Sequence, residues 1–164
     1  MAYYLFFPLT VEFAHQIATW RYEPPYDLYD IYSEHIKGLL YPAYRYHQML
    51  DQDGALVGYC CYGADACVPG GAYDQGEPEV LDIGVGMRPD LTGQGLGRSF
   101  VKAILDYGES RFQPQRFRVT IADFNLRSRK TFQNLGFQEI FHFTRKLMEV
   151  PFTQFEKPIS EVVL

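Results

Sequence analysis

Apolar positions along this chain fall into short continuous runs and into helical stripes, and their order predicts the elements. Tyr3 to Phe7 is an apolar run that Pro8 ends, and Thr10 stands where it can cap a helix reaching to about Trp20. Tyr22 to Tyr32 holds Pro24 and Pro25 among aromatic and acidic residues and reads as a loop. Tyr44 to Leu50 and Leu56 to Tyr62 read as two strands around the turn signal Asp53-Gly54, a hairpin. Val68 to Pro78 is rich in glycine and turn formers and reads as a surface loop. Val80 to Met87 is apolar at most positions and runs straight into Pro89 and a cluster of glycines, as a strand feeding a tight turn does. A helix over about Gly97 to Arg111 follows, with Phe100, Val101, Ile104, Leu105 and Tyr107 as its apolar stripe. Arg118 to Ile121 is a short strand, Leu126 to Leu135 a helix ended by Gly136, and Phe137 to Phe143 another strand, with Phe152 to Phe155 a candidate last one. This alternation predicts a mixed α/β fold with helices on both faces of one sheet.

Composition narrows the class. A chain of 164 residues fits a single domain over its whole length and buries enough surface to need no disulfide or structural metal. Hydrophobic residues at 47% and charged ones at 21% exclude a disordered or collagen-like chain. Thirteen Tyr, thirteen Phe and one Trp exceed what a core usually needs, so some are expected to line a cleft. A net charge of −5 without a long basic run disfavours general nucleic-acid binding. No apolar stretch approaches the roughly 18 residues of a membrane span, the first residues lack the charged flank of a signal peptide, and the chain reads as cytosolic and free of the membrane. Cys60 and Cys61 are adjacent and no Cys-x-x-Cys pair occurs, so neither a disulfide framework nor a metal site is indicated. His15, His35, His47 and His142 are scattered without metal spacing and read as surface or packing residues. Nothing in the sequence requires or forbids a homodimer.

The chemistry concentrates in Leu81 to Phe100. Glycines at 93, 95 and 97 let the backbone curl, and because the turn opens a helix its free amides and the positive dipole end favour an anion, most simply a pyrophosphate. A P-loop is excluded because Arg98-Ser99 supplies no Gly-Lys-Ser. A dinucleotide fingerprint needs Gly-x-Gly-x-x-Gly after a first strand, whereas these glycines lie mid-chain and are spaced Gly-x-Gly-x-Gly.

At these residues the chain resembles the GNAT superfamily of acetyl-coenzyme A dependent N-acetyltransferases. Thr92-Gly93-Gln94-Gly95-Leu96-Gly97 matches that family's Arg/Gln-x-x-Gly-x-Gly/Ala signature except at Thr92, and Asn125, Ser128, Phe132, Gly136 and Phe137 stand at the spacings of a second family segment. The two segments cover roughly residues 80 to 140. The resemblance implies a central, mostly antiparallel mixed sheet and acetyl transfer from acetyl-coenzyme A to a primary amine, on a small molecule or at a peptide α-amine. It implies that Thr92, Gly93, Gln94, Gly95, Leu96, Gly97, Arg98 and Ser99 hold the coenzyme, with the main-chain amides of Gln94 to Ser99 on its pyrophosphate. It further implies that Val85, Gly86 and Met87 offer main-chain groups to the pantetheine arm and the acetyl carbonyl and that Asn125 and the residue at 132 touch the coenzyme.

In many relatives position 132 is a tyrosine whose hydroxyl protonates the leaving thiolate, and here it is Phe132. That departure keeps a non-enzymatic acyl-coenzyme A binding or sensing module as the alternative. Core packing on the last helix is the other reading of Phe132. For a base the residues offer Asp82, the lone charge in an apolar strand, with Glu79 at the strand's start as second candidate. A buried carboxylate needs a partner, so a structural hydrogen bond is the competing reading of Asp82. Trp20, Tyr22, Glu23, Tyr26 and Asp27 fall where relatives build the acceptor rim, and acids among aromatics suit a cationic amine. The alternative there is an ordinary solvated loop. The cysteines carry no context that marks a nucleophile, so direct transfer in a ternary complex is expected.

Overall fold

Every residue of the strand Leu56–Tyr62 is buried, which requires a packed layer on each side of it. A computed structural model, describing residues 3–73 and 79–159, supplies both layers. The elements are β1 (Leu5–Pro8), α1 (Val11–Ile17), α2 (Ile36–Leu39), β2 (His47–Leu50), β3 (Leu56–Tyr62), β4 (Val80–Met87), α3 (Gly97–Phe112), β5 (Arg116–Ala122), α4 (Leu126–Asn134), β6 (Gln138–Arg145) and β7 (Val150–Pro158). The strands form one sheet in the order β1-β2-β3-β4-β5-β7-β6. The β4–β5 pair is parallel and the other neighbours run antiparallel.

Alternation along the strands assigns the faces. Leu81, Ile83, Phe117, Val119, Ile121 and Phe155 turn to one side and meet Phe100, Ile104 and Leu105 of α3 and Phe132 of α4. Leu50, Leu56 and Tyr59 turn to the other and meet Ala14 and Ile17 of α1 and Leu39 of α2. Helices thus cover both faces, as the pattern predicts. Thr10 caps α1 by accepting from the Phe13 amide at 3.4 Å, and the helix ends at Ile17, short of Trp20.

One element escapes the sequence pattern, and the last strand, expected over Phe152 to Phe155, is longer than expected. The four residues of α2, with Gly38 inside and Pro42 just beyond, are too few to show an apolar stripe. The last strand is nine residues long and lies between β5 and β6, because its polar members are satisfied inside. Gln154 accepts from the Ala72 amide at 2.7 Å and donates to its carbonyl at 3.1 Å, while Thr153 donates to Asp123 at 2.6 Å. Of the expected loop Val68 to Pro78, residues 74–78 lie outside the described residues.

One irregularity positions the site. β4 and β5 pair at Val80/Arg116, Leu81/Phe117 and Asp82/Arg118, and there the ladder stops. β3 continues to hold β4 as far as Met87, and β7 holds β5 as far as Ala122. The sheet therefore forks in its middle, and the facing edges of two strands have no strand between them.

Candidate functional site

The fork opens into a cleft of about 1210 Å³. Its walls are Ile83 to Met87 of β4, Val119 to Ile121 of β5, the glycine turn, and Asn125, Ser128 and Thr131 of α4, with tyrosines from the first 60 residues across the mouth.

The turn is built for backbone contact. Gly93 and Gly95 have φ of 72° and 78°, the left-handed region where a Cβ costs about 1–2 kcal/mol. A Cβ placed on Gly95 would meet nothing within 4 Å, so the glycine answers to the backbone conformation and to open space beyond it. Leu96 precedes α3 and supplies no side-chain acceptor, so the amides of Gly97, Arg98 and Ser99 lack the partners that a capping residue would give. Those amides and the dipole of a 16-residue helix face the cleft end and suit an anion. Thr92 donates its hydroxyl to Pro89 at 2.7 Å, Gln94 its amide to Asp90 at 2.6 Å, and Ser99 its hydroxyl to Leu96 at 3.1 Å. These side chains brace the turn and leave main-chain groups for a ligand. Arg127 of α4 adds a cation, its guanidinium carbon 3.6 Å from where a Gly93 Cβ would sit and 5.0 Å from the Tyr26 ring centre. Sequence reading passed over it, since the short basic stretch Arg127 to Lys130 does not mark which of its side chains faces a cleft.

Val85, Gly86 and Met87 line the wall, and the Met87 carbonyl accepts the Tyr22 hydroxyl at 2.6 Å. Asn125 caps α4 by accepting from the Ser128 amide at 3.1 Å and donates its side-chain amide to the Tyr29 hydroxyl at 3.2 Å. Phe132 does not reach the cleft: it has no exposed surface and packs edge-on against Phe137 at 5.1 Å. It belongs to the core because its position on α4 faces the sheet.

The expected bases are also displaced. Arg118, a residue only 3% exposed, donates twice to Asp82, at 2.7 and 2.9 Å. The Tyr73 ring lies 4.9 Å from that guanidinium, and Glu156 reaches it at 3.9 Å. Hydrogen bonding to Asp82 pushes the Arg118 pKa up still further. Asp82 therefore pins β4 to β5 at the last paired level and is not on the cleft wall. Glu79 is exposed at the closed end, about 16 Å along the strand from Gly84, and its carbonyl accepts from Gln115 and Arg116. Of the expected acceptor rim, Tyr22, Glu23 and Tyr26 line the cleft. Trp20 packs towards Tyr59 at 6.1 Å and Asp27 faces solvent, both off the wall.

On the wall opposite the glycine turn, Tyr29, Tyr46, Tyr59 and Asp65 also escaped the sequence reading. Burial raises the pKa of each of these tyrosines and of Tyr22, so all are neutral phenols at ordinary pH. Burial also pushes the Cys61 thiol, in the same wall, up to about 12. Among the described residues no group of three or more His, Cys, Asp or Glu side chains converges as metal ligands would.

Comparison with known proteins gives the same direction. A search of curated protein sequences finds no match. Among solved structures, a GNAT-family acetyltransferase from Bacillus anthracis superimposes with a TM-score of 0.74 at 13% identity, over 96% of each chain. The spermidine/spermine N-acetyltransferase of Vibrio cholerae gives 0.68 at 15% identity, over 94% of this chain and 92% of that one. At such identities the likeness establishes the fold. The sequence model of the GNAT acetyltransferase family matches residues 11–137, and so the chain belongs to that family.

Proposed function

We propose that this protein transfers an acetyl group from acetyl-coenzyme A directly to a primary amine, both bound at once in the forked cleft. The observation that carries the reading is the uncapped start of α3, with its left-handed glycines, opening onto a strand edge without a partner strand. An anion belongs at the helix start, and an extended polar arm belongs along β4, where it replaces the missing strand. A coenzyme A thioester has that shape: pyrophosphate at one end, an amide-bearing arm, and an activated acyl group at the other. Gly93 to Ser99 would hold the pyrophosphate with Arg127 beside it, Val85 and Gly86 the arm, and Ile83 and Gly84 at the fork would face the acyl group.

The acceptor side suits a cation. Glu23 and Asp65 bring negative charge to a wall of tyrosine rings, whose faces attract ammonium groups. A lysine-type amine with pKa about 10.4 is neutral in roughly one molecule in a few thousand at pH 7, so it needs a proton acceptor more than an α-amine does. Cys61 stays a thiol and no other cysteine reaches the wall among the described residues, which favours direct transfer over an acyl-enzyme.

Purified protein mixed with acetyl-coenzyme A and a panel of amines, followed by free thiol release, tests the reading. The panel includes a polyamine, a lysine peptide and several α-amines; the Vibrio cholerae neighbour's name specifies spermidine and spermine, which gives the polyamine its place. Amine-dependent thiol release is the expected result. Tight coenzyme binding by calorimetry with no release on any amine would instead identify a binding module.

A further inference from the structure

Resting on that functional reading, we infer that Asp65, working through the hydroxyl of Tyr46, takes the proton from the acceptor ammonium. Asp82 is bound to Arg118 and Glu79 is remote, so the carboxylates on the cleft wall are Glu23, Asp65 and Asp90. Asp90 is held by Arg88 at 2.7 Å. Position separates the other two. Glu23 neighbours Tyr22, whose hydroxyl fixes that segment at the Met87 end of β4. Asp65 lies in a short turn, residues 64–66, that leaves the end of β3 over the apex of the fork. The Gly63 amide donates to the Asp82 carbonyl at 2.8 Å, and Cys61 pairs with Gly84. A Cβ on Gly84 would strike Cys61 Sγ at 2.7 Å and touch Ala66 Cβ at 3.6 Å, so these two residues roof the first β4 positions beyond the β5 ladder. Met87 is about 10 Å further along the strand. Asp65 is therefore the carboxylate at the level where the acyl group is placed.

The connection runs through Tyr46. Its hydroxyl donates to Asp65 Oδ2, and its ring stands 6.2 Å from that of Tyr59. Tyr46 is half-buried and Asp65 exposed, so the pair leads from the apex to solvent. The titratable groups that interact with Asp65 are Tyr46, Cys61 and Cys67. Burial pushes both thiols up to about 12 and the phenol up as well, so none of them titrates near neutral pH.

The proton count closes. The ammonium gives one proton to the Tyr46 oxygen as the Tyr46 proton passes to the Asp65 carboxylate, which later releases it to water. The neutral amine forms a C–N bond with the thioester carbonyl, the C–S bond breaks, and the second nitrogen proton ends on the thiolate. Amide, free thiol and one released proton result.

The test compares Asp65→Asn and Tyr46→Phe with the unaltered protein at saturating acetyl-coenzyme A, using the amine of the panel turned over fastest. Turnover by Asp65→Asn should fall about 10²–10⁴-fold at pH 7, and the loss should shrink as pH rises towards the amine's own pKa. Tyr46→Phe should show a smaller loss with the same pH trend. Coenzyme affinity and melting temperature should be unchanged in Asp65→Asn. Full turnover by Asp65→Asn at pH 7, or a loss equal at every pH, would overturn the assignment while leaving acetyl transfer intact. An unaltered protein that acetylates no amine would overturn the functional reading itself, and the role of Asp65 with it.

Discussion

The two walls of the cleft are made from different material. The wall from β4 through the glycine turn into α3 is contiguous in sequence, offers main-chain groups, and owes its shape to left-handed glycines and an uncapped helix. The opposite wall is assembled from side chains far apart in the chain: Tyr22, Tyr26 and Tyr29 from one loop, Tyr46 before β2, Tyr59 on β3 and Asp65 after it. The first kind of wall suits a ligand with a phosphate and an extended arm, as proposed above. On the proposed function the second would set selectivity for an acceptor, because changing a side chain there leaves the backbone cradle untouched.

The carboxylates sharpen the contrast, and the largest expected effect separates their roles. Asp82→Asn takes away the charge that is doubly hydrogen-bonded to buried Arg118, leaving Glu156 at 3.9 Å as its remaining carboxylate. Breaking a buried pair costs about 3–5 kcal/mol, and at this chain length about 2–4 °C of melting temperature per kcal/mol. Thermal melts should therefore show a fall of roughly 6 °C or more, while turnover per folded molecule has no strong pH-dependent loss. A stable Asp82→Asn protein whose lost turnover returns at high pH would move the base back to the strand.

On the main-chain wall, Gly95→Val forces a β-branched residue to φ near 78° and projects it into the cradle. Strain of about 1–3 kcal/mol, plus the obstruction, should weaken coenzyme A binding tenfold or more by calorimetry. Folding should survive, since no protein atom lies within 4 Å of the new Cβ. Unchanged affinity would take the phosphate site away from this turn.

Phe132→Tyr should place a hydroxyl in a dry core, destabilise the fold by about 1–3 kcal/mol in denaturant melts, and give no gain in turnover. A faster Phe132→Tyr enzyme would mean that α4 moves enough to bring this ring to the cleft. The smallest effect belongs to Tyr22→Phe, which removes the donor to the Met87 carbonyl. A net loss of about 1 kcal/mol is expected, together with a higher KM for the amine and little change in kcat.

How much was legible follows the same division. The glycine turn, Val80–Met87 and the α3 stripe could be read because each is local: periodicity, a turn signal and a helix start sit within a few residues of one another. Phe132 misled because a position matched by spacing says nothing about which way the ring faces, and here it faces the sheet. Asp82 misled for a related reason. A lone charge in an apolar strand signals either chemistry or a partner, and that partner, Arg118, lies 36 residues away. Asp65 gave no signal at all, since an aspartate in a short polar turn looks like solvent-facing loop.

The sequence by itself determined the order of the strands and of the longer helices, the presence of helices on both faces and the glycine turn, because these depend on hydrophobic period and on local backbone freedom. Only the tertiary structure decided where the β4–β5 ladder stops, which carboxylate is bound to a guanidinium and which stands at the fork, and which tyrosines form the wall. Those outcomes depend on contacts between residues distant in the chain, and neither composition nor spacing encodes the direction in which a side chain points once the sheet has closed.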